Sequence, residues 1–207
     1  MNDASERAAR IRAARPASRR RLVPVLLFVV AIVVFAADQL VKNWVVDTLP
    51  EGQTVPVLGD FLQWHFVRNP GAAFSLASGS TWIFTILATA VVCVILWQIR
   101  RLGSLLWAAF FGLLLGGVLG NLTDRLTRAP GFPVGHVIDF ISTPWMIPAI
   151  YNIADIAICS GMALFVLVTL FGLPLDGSPR RKRGEAEPGA DCAEAPAAGA
   201  DPEPETR

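Results

Sequence analysis

The residues best suited to chemistry in this sequence are two aspartates, Asp139 and Asp155, which lie among apolar neighbours. Asn152 stands three residues before Asp155, so a helix would place an amide beside a carboxylate on one face. Two carboxyls held close together cannot both ionise easily, and they then share one proton. One carboxyl can act as a base towards water while the other protonates a leaving nitrogen. The pair is therefore a candidate for metal-free hydrolysis of a peptide bond.

Other catalytic chemistries find less support. The serines lack a histidine or lysine base in helical register. The serines considered are those in or near the apolar segments and outer regions, Ser75, Ser78, Ser80, Ser142 and Ser160. The histidines, His65 and His136, stand far apart and outside any HExxH pattern, and no CxxC or His/Cys cluster offers metal ligands. Cys93 and Cys159 lie inside apolar runs and Cys192 lies in a polar tail, so no disulfide is indicated. We expect neither a metal nor another cofactor.

Further polar residues lie in or beside apolar segments. Counted along helices from the flanking arginines, Asp38, Asp124 and Asp155 all come near the outer face of a membrane. An ionisable side chain near hydrocarbon costs a few kcal/mol or more, so such residues usually mark a function. Asp38 and Lys42 are four residues apart and can neutralise one another. Asn121, Asp124 and Arg125 share one helix face, which fits either a polar helix end or contact with a substrate.

The elements that carry these residues are predicted to be membrane helices. The chain is 53% hydrophobic with a mean hydropathy of +0.49, too apolar for a soluble domain of its 207 residues. A basic front precedes the first apolar run, which is interpreted as a membrane anchor in preference to a cleavable signal peptide. The fold class is an all-α integral membrane protein with a small extracytoplasmic β-strand lobe and four transmembrane helices, at about 22–41, 82–99, 105–122 and 153–173.

The charges predict the orientation of these helices. Residues 1–21 form an arginine-rich arm without apolar period, Arg100 and Arg101 lie in a short loop, and more basic residues occupy 180–183. The positive-inside rule places both termini in the cytoplasm. The arm and the tail 176–207 have too little apolar surface to pack and are predicted to be disordered. Membrane lipid is an expected partner, and nucleic acid is not.

Two regions face outwards under this topology. Residues 43–80 contain an alternating stretch between turn signals and are predicted to form the β lobe. Residues 126–150 are rich in proline and glycine, carry Trp145, and are predicted to be a loop that touches the membrane. On the third helix, Gly112 and Gly116 begin a stripe of glycines at every fourth position, which predicts close approach of a neighbouring helix.

Five polar-containing blocks follow one another along the chain: AADQLVK (36–42), RNPGAAFS (68–75), GGVLGNLTDR (116–125), HVIDF (136–140) and IPAIYNIAD (147–155). In this order they resemble the signature of the lipoprotein signal peptidase family. Together they span residues 36–155, which is essentially the whole of the membrane domain predicted at 22–175. Five ordered blocks are far more specific than any one of them alone.

The resemblance implies an intramembrane aspartic endopeptidase of the bacterial cytoplasmic membrane, active as a monomer near the outer face. Its substrates would be prolipoproteins, cut on the amino side of a diacylglyceryl-modified cysteine. Asp139 and Asp155 would be the catalytic pair. The residues implied to contact the substrate or line the pair are Asn69, Asn121, Arg125 and Asn152. The residues implied to support them are Asp38, Lys42 and Asp124.

Two other functions are compatible with parts of this pattern. Membrane carboxylates also form proton relays, so the alternative is a small proton-coupled transporter or channel component. Against it, the acids gather at one predicted depth and do not span the bilayer. A membrane scaffold without enzyme activity would explain the glycine stripe but gives no role to Asn152 and Asp155.

Overall fold

The computed structural model describes residues 17–71 and 81–178. In these ranges four helices are long and apolar enough to cross a membrane, as predicted. A 3-10 turn, Ile99–Arg101, follows the second helix. The helices are α1 (Ala17–Thr48), α2 (Thr81–Gln98), α3 (Leu105–Thr127) and α4 (Ile153–Leu170).

Helix α1 is longer at both ends than the sequence predicted. It begins at Ala17, within the arm predicted to be disordered, and it continues past residue 41 to Thr48. The extension at the carboxyl end is stabilised by the sheet, because Val45 is fully buried against it and Val41 and Leu49 also pack there. The rest of the arm, 1–16, and the tail from residue 179 lie outside the described residues.

The β lobe is one antiparallel sheet of four strands in the order β1-β2-β3-β4. Its first two strands lie within the predicted lobe, but the last two lie in the region 126–150, so the prediction of a loop there was wrong. Two features hide these strands in the sequence. Proline or glycine residues, which usually mark loops, stand before β3 and between β3 and β4. In addition, β3 is buried along nearly its whole length, so its residues do not alternate between polar and apolar. The strands are β1 (Thr54–Pro56), β2 (Gln63–Asn69), β3 (Val137–Thr143) and β4 (Ile147–Tyr151).

Close packing between α1 and α3 depends on glycine, as predicted. A Cβ atom added to Gly112 would lie 2.8 Å from the Leu27 carbonyl oxygen, and one added to Gly116 would lie 2.7 Å from the Ala31 carbonyl oxygen. Any larger residue would push the two helices apart. The resulting contact brings the polar end of α3 against the polar end of α1.

A second apolar cluster fixes the sheet on this end of the bundle. Its buried members come from α1, β2 and β3, and they are Val45, Phe66, Ile138, Phe140 and Ile141. The Trp64 ring lies 5.8 Å from the Phe140 ring and 6.1 Å from the Trp44 ring, which links the sheet to α1. Strand β3 is therefore held directly over the end of the helices.

Candidate active site

The two predicted catalytic aspartates come together at the junction of sheet and bundle. Asp139 lies in β3, and Asp155 is the third residue of α4. Asn152, the N-cap of α4, contacts both: its side-chain Nδ2 donates to Asp139 Oδ1 at 2.6 Å, and its backbone N–H donates to Asp155 Oδ2 at 3.1 Å. One asparagine thus joins both carboxyls.

Asp139 is 2% exposed and accepts hydrogen bonds from two amides. Besides Asn152, the donor is Asn69 Nδ2 from β2, which lies 2.8 Å from Asp139 Oδ2. The pKa of Asp139 is raised to about 6, chiefly by burial and to a smaller extent by the nearby Asp155, while the hydrogen bonds from Asn69 and Asn152 and the charge of Lys42 oppose the rise. A carboxyl of this kind holds a proton at mildly acidic pH.

Asp155 has a structural as well as a chemical role. Its backbone N–H donates to Asn152 Oδ1 at 2.9 Å, and the reciprocal bond from Asn152 completes a capping box that begins α4. The other carboxylate oxygen, Oδ1, accepts from Asn121 Nδ2 of α3 at 2.9 Å. The cap of the helix therefore fixes the orientation of the carboxylate.

A buried ion cluster lies directly behind these residues. Lys42 Nζ is 2.8 Å from Asp38 Oδ2 and 2.8 Å from Asp124 Oδ2, and all three side chains are 0% exposed. The ion pair expected from the i,i+4 spacing is present, and Asp124 joins it. Lys42 also donates to Asn121 Oδ1 at 2.9 Å. Because Asn121 in turn donates to Asp155, one amide connects the ion cluster to the pair Asp139 and Asp155, which is called the dyad below.

Arg125 lies on the dyad side of α3. Its guanidinium is 5.1 Å from the centre of the Phe84 ring and interacts electrostatically with Asp139 and Asp155. Nη1 of Arg125 is buried and has no hydrogen-bond partner among residues 17–71 and 81–178. A buried donor without an acceptor is costly, which makes it a candidate to receive a ligand oxygen.

Two further polar residues, Arg128 and Gln39, contact the cluster and were not predicted from the sequence. Arg128 Nε donates to Asp124 Oδ1 at 2.6 Å, and its Nη2 donates to Asn43 Oδ1 at 2.9 Å. Gln39 Nε2 reaches Asp124 Oδ1 at 3.3 Å. The signal for Arg128 was present, because it lies four residues after Asp124 on the same helix face. Gln39 carries no such signal.

The site thus brings together every residue predicted to act in it. The hydrogen-bonded part contains Asn69, Asn121, Asp139, Asn152 and Asp155, with Arg125 nearby in charge contact and the ion cluster behind. Across the part of the chain that the structure describes, no group of three His, Cys, Asp or Glu side chains could hold a metal ion. Two neighbouring carboxyls are the groups that acid–base hydrolysis of an amide requires, one as the base and one as the acid.

Comparison with known proteins places this arrangement in a family. Residues 30–171 match the model of peptidase family A8, described as signal peptidase (SPase) II. The lipoprotein signal peptidase of Leifsonia xyli subsp. xyli is 56% identical over 160 residues, which cover 77% of this chain and 74% of that protein. The one from Mycobacterium avium is 46% identical over 171 residues, which cover 83% and 91%.

Solved structures with a similar fold support the same family. Two structures described as bacterial membrane enzymes, obtained by the in meso method, superpose with TM-scores of 0.63 and 0.62 at 27% and 28% identity. The first covers 78% of this chain and 94% of its own, and the second covers 70% and 92%. Both the sequence and the fold therefore lead to one conclusion: this multi-pass bacterial membrane protein is a peptidase that belongs to the signal peptidase II family.

Proposed function

We propose that the protein is an intramembrane aspartic endopeptidase that removes signal peptides from prolipoproteins. The cut falls on the amino side of the diacylglyceryl-modified cysteine. The single observation that carries the aspartic mechanism is the contact of Asn152 with both carboxyls, at 2.6 Å to Asp139 and 3.1 Å to Asp155. A shared asparagine makes the two carboxyls neighbours in one hydrogen-bond network, as a mechanism that uses both of them requires.

The raised pKa of Asp139, about 6, makes it the carboxyl that carries the shared proton. Asp155 is then the base: it takes a proton from water as the oxygen attacks the scissile carbonyl carbon. As the tetrahedral intermediate collapses, its oxyanion reforms the carbonyl, the carbon–nitrogen bond breaks, and Asp139 gives its proton to the leaving nitrogen, so the products are a carboxylic acid and an amine. The two carboxyls exchange protonation states in each turnover, and a further proton transfer restores the starting state.

The remaining polar residues have roles in holding the peptide. The unpartnered Nη1 of Arg125 suits a substrate backbone carbonyl, and burial makes that hydrogen bond stronger than it would be in water. Asn69 and Asn121 each use one amide hydrogen on a dyad carboxyl, at 2.8 Å and 2.9 Å. Their part is to line the dyad and to keep the carboxyls aimed at the substrate.

We further propose that the sheet end of the bundle faces outwards and that both termini are cytoplasmic. The support is the positive-inside rule, since Arg100 and Arg101 follow α2 at the end far from the sheet. A monomer is sufficient for the proposed activity, since one chain supplies both aspartates and the side chains that contact them. Membrane lipid surrounds the helices, and neither a cofactor nor nucleic acid takes part.

The transporter alternative is not favoured. Within the described helices the acidic residues are Asp38, Asp47, Asp124 and Asp155, and all lie in the half of their helix nearest the sheet. A proton relay would need groups across the full depth. The family match and the peptidase relatives point the same way.

Cleavage of a lipid-modified lipobox peptide by purified protein tests the proposal. Asp139→Asn and Asp155→Asn should each abolish cleavage, because asparagine is nearly isosteric but can neither act as a base nor share a proton. Since the two act in one step, the double variant should be scarcely slower than either single variant. Asp47→Asn, at an exposed aspartate of α1, is the matched control and should cut normally. Independent, additive losses in folded protein would refute a dyad.

A further inference from the structure

Two buried carboxylates outside the dyad each accept a hydrogen bond from a backbone N–H. In both cases the donor is the residue that directly precedes a dyad aspartate. Asp38 Oδ1 accepts a hydrogen bond from the backbone N–H of Ala154 at 3.0 Å, and Ala154 directly precedes Asp155. Asp124 Oδ2 accepts from the backbone N–H of Ile138 at 3.2 Å, and Ile138 directly precedes Asp139. The same contact is therefore made twice, once on α4 and once on β3.

Lys42 connects the two anchors. Its ammonium has three donors, and they go to Asp38 Oδ2 at 2.8 Å, Asp124 Oδ2 at 2.8 Å and Asn121 Oδ1 at 2.9 Å. An ammonium accepts no hydrogen bond, so Asn121 must present its oxygen to Lys42 and its nitrogen to Asp155. The ammonium thus fixes both the spacing of the anchors and the direction of the Asn121 amide.

We propose that Asp38, Lys42 and Asp124 form a positioning bridge that sets the separation of the two dyad carboxyls. The inference rests on the proposed aspartic peptidase function and assigns these three residues a task within it. Consecutive Cα atoms are held about 3.8 Å apart by the trans peptide. Fixing Ala154 and Ile138 therefore fixes the backbone from which Asp155 and Asp139 project.

The surrounding packing is built to allow this contact. A Cβ atom added to Gly120 of α3 would lie 2.5 Å from Asp38 Oδ2, so the glycine leaves the space that the carboxylate occupies. A buried ion pair is weak evidence for stability, because apolar side chains of similar volume often stabilise a fold as well or better. What apolar residues cannot supply is an acceptor for two particular backbone N–H groups. That difference separates positioning from simple core stability.

The test compares two double variants that lack the ammonium and differ in one acceptor. In Asp38→Asn with Lys42→Met, the amide oxygen of residue 38 still accepts from Ala154. In Asp38→Leu with Lys42→Met, a side chain of similar volume offers no acceptor. Both variants have the same net charge, and Asp124 keeps Arg128 as its partner at 2.6 Å in each. Gln39 Nε2 also donates to Asp38 Oδ2, at 3.1 Å, but that acceptor is absent from both variants. A difference between them therefore reports the hydrogen bond to Ala154.

For each double variant, kcat and KM towards a lipobox peptide are measured per folded molecule, with folding followed by thermal melting and size-exclusion chromatography. A misplacement of about 1 Å can cost ~100-fold in rate, so the Leu variant should have a kcat about 100-fold below that of the Asn variant with little change in KM. A role in folding alone would lower the melting temperature and the yield but leave kcat per folded molecule equal.

Equal kcat values in the two double variants, or a difference in KM alone, would overturn the proposal. If the Leu variant does not fold, Asp38→Ala with Lys42→Met replaces it in the same comparison. Failure of both to fold would assign the hydrogen bond to folding and would also overturn the proposal. Failure of the wild-type protein to cut the peptide is a different result, since it would refute the peptidase function itself.

Discussion

Removal of the Asn69 amide should move the pH dependence of cleavage in a defined direction. Asn69 Nδ2 donates to Asp139 Oδ2 at 2.8 Å, and this bond favours the ionised carboxylate. The pKa of Asp139 is already about 6 because burial outweighs its hydrogen bonds. In Asn69→Ala the opposing bond is lost, so the pKa of Asp139 should rise further. Asp155, Lys42 and Asn152 face Asp139 from the helices and stay in place.

The expected size of the shift follows from the strength of one hydrogen bond. A bond to a charged group contributes ~1.5–3 kcal/mol, and one pKa unit corresponds to about 1.4 kcal/mol. Asn69 is partly exposed, so water will replace part of the lost bond. The pKa of Asp139 should therefore rise by about one unit, at the lower end of the range given by these two quantities.

The profile of kcat/KM against pH measures this shift, because it reports the ionisations of the free enzyme. In the proposed mechanism Asp139 must be protonated, so activity falls as pH rises through its pKa. In Asn69→Ala this falling limb should move to higher pH, even if the maximal rate is lower. Gln63→Ala, which removes an amide from the far end of the same strand, should leave the limb in place. An unmoved limb, or one at lower pH, in folded Asn69→Ala protein would refute the assignment of the proton to Asp139.

Three further predictions concern topology, metal and packing. A reporter inserted within 98–104 or after Arg183 should read cytoplasmic, whereas one near Gly52 should read external; an external carboxyl end would contradict the four-span topology. Cleavage should survive excess chelator, and activity that is lost and then restored by zinc would disprove the metal-free mechanism. Gly116→Ala should cost ~1–3 kcal/mol of stability through overpacking, seen as a lower melting temperature. Gly161→Ala should be tolerated, since its added Cβ would have no neighbour closer than 3.4 Å.

The parts of the fold that could be predicted from sequence are those with a local signal. Each spanning helix is a run of apolar residues near the thickness of a bilayer, so its existence needs no knowledge of its neighbours. The glycine stripe on α3 likewise predicts close helix packing from spacing alone. The contact between Asn152 and Asp155 was expected from their spacing, but not its form: Asn152 precedes the helix as its N-cap and meets Asp155 in a capping box, where one shared helix face had been predicted.

The parts that could not be predicted depend on contacts between distant segments. Strand β3 forms because Asp139 and its neighbours pair with β2, about seventy residues earlier, at Val67 and Asn69, and β4 in turn pairs with β3. The third member of the ion cluster, Asp124, reaches Lys42 only because α3 packs against α1. Spacing rules describe one helix at a time and contain no information about which side chains meet across an interface.

The composition of the site also constrains when it can exist during synthesis. Both dyad carboxyls belong to the stretch from β3 to the first turn of α4, whereas Lys42, Asn69 and Asn121 come from three earlier elements. A nascent chain that has emerged only as far as the third helix therefore contains Lys42, Asn69 and Asn121 but neither of the two aspartates that they contact or support. A nascent chain arrested before residue 150 should be inert towards a lipobox peptide. Under the proposed mechanism, the proteolytic centre forms only after the last helix has inserted and packed against α3.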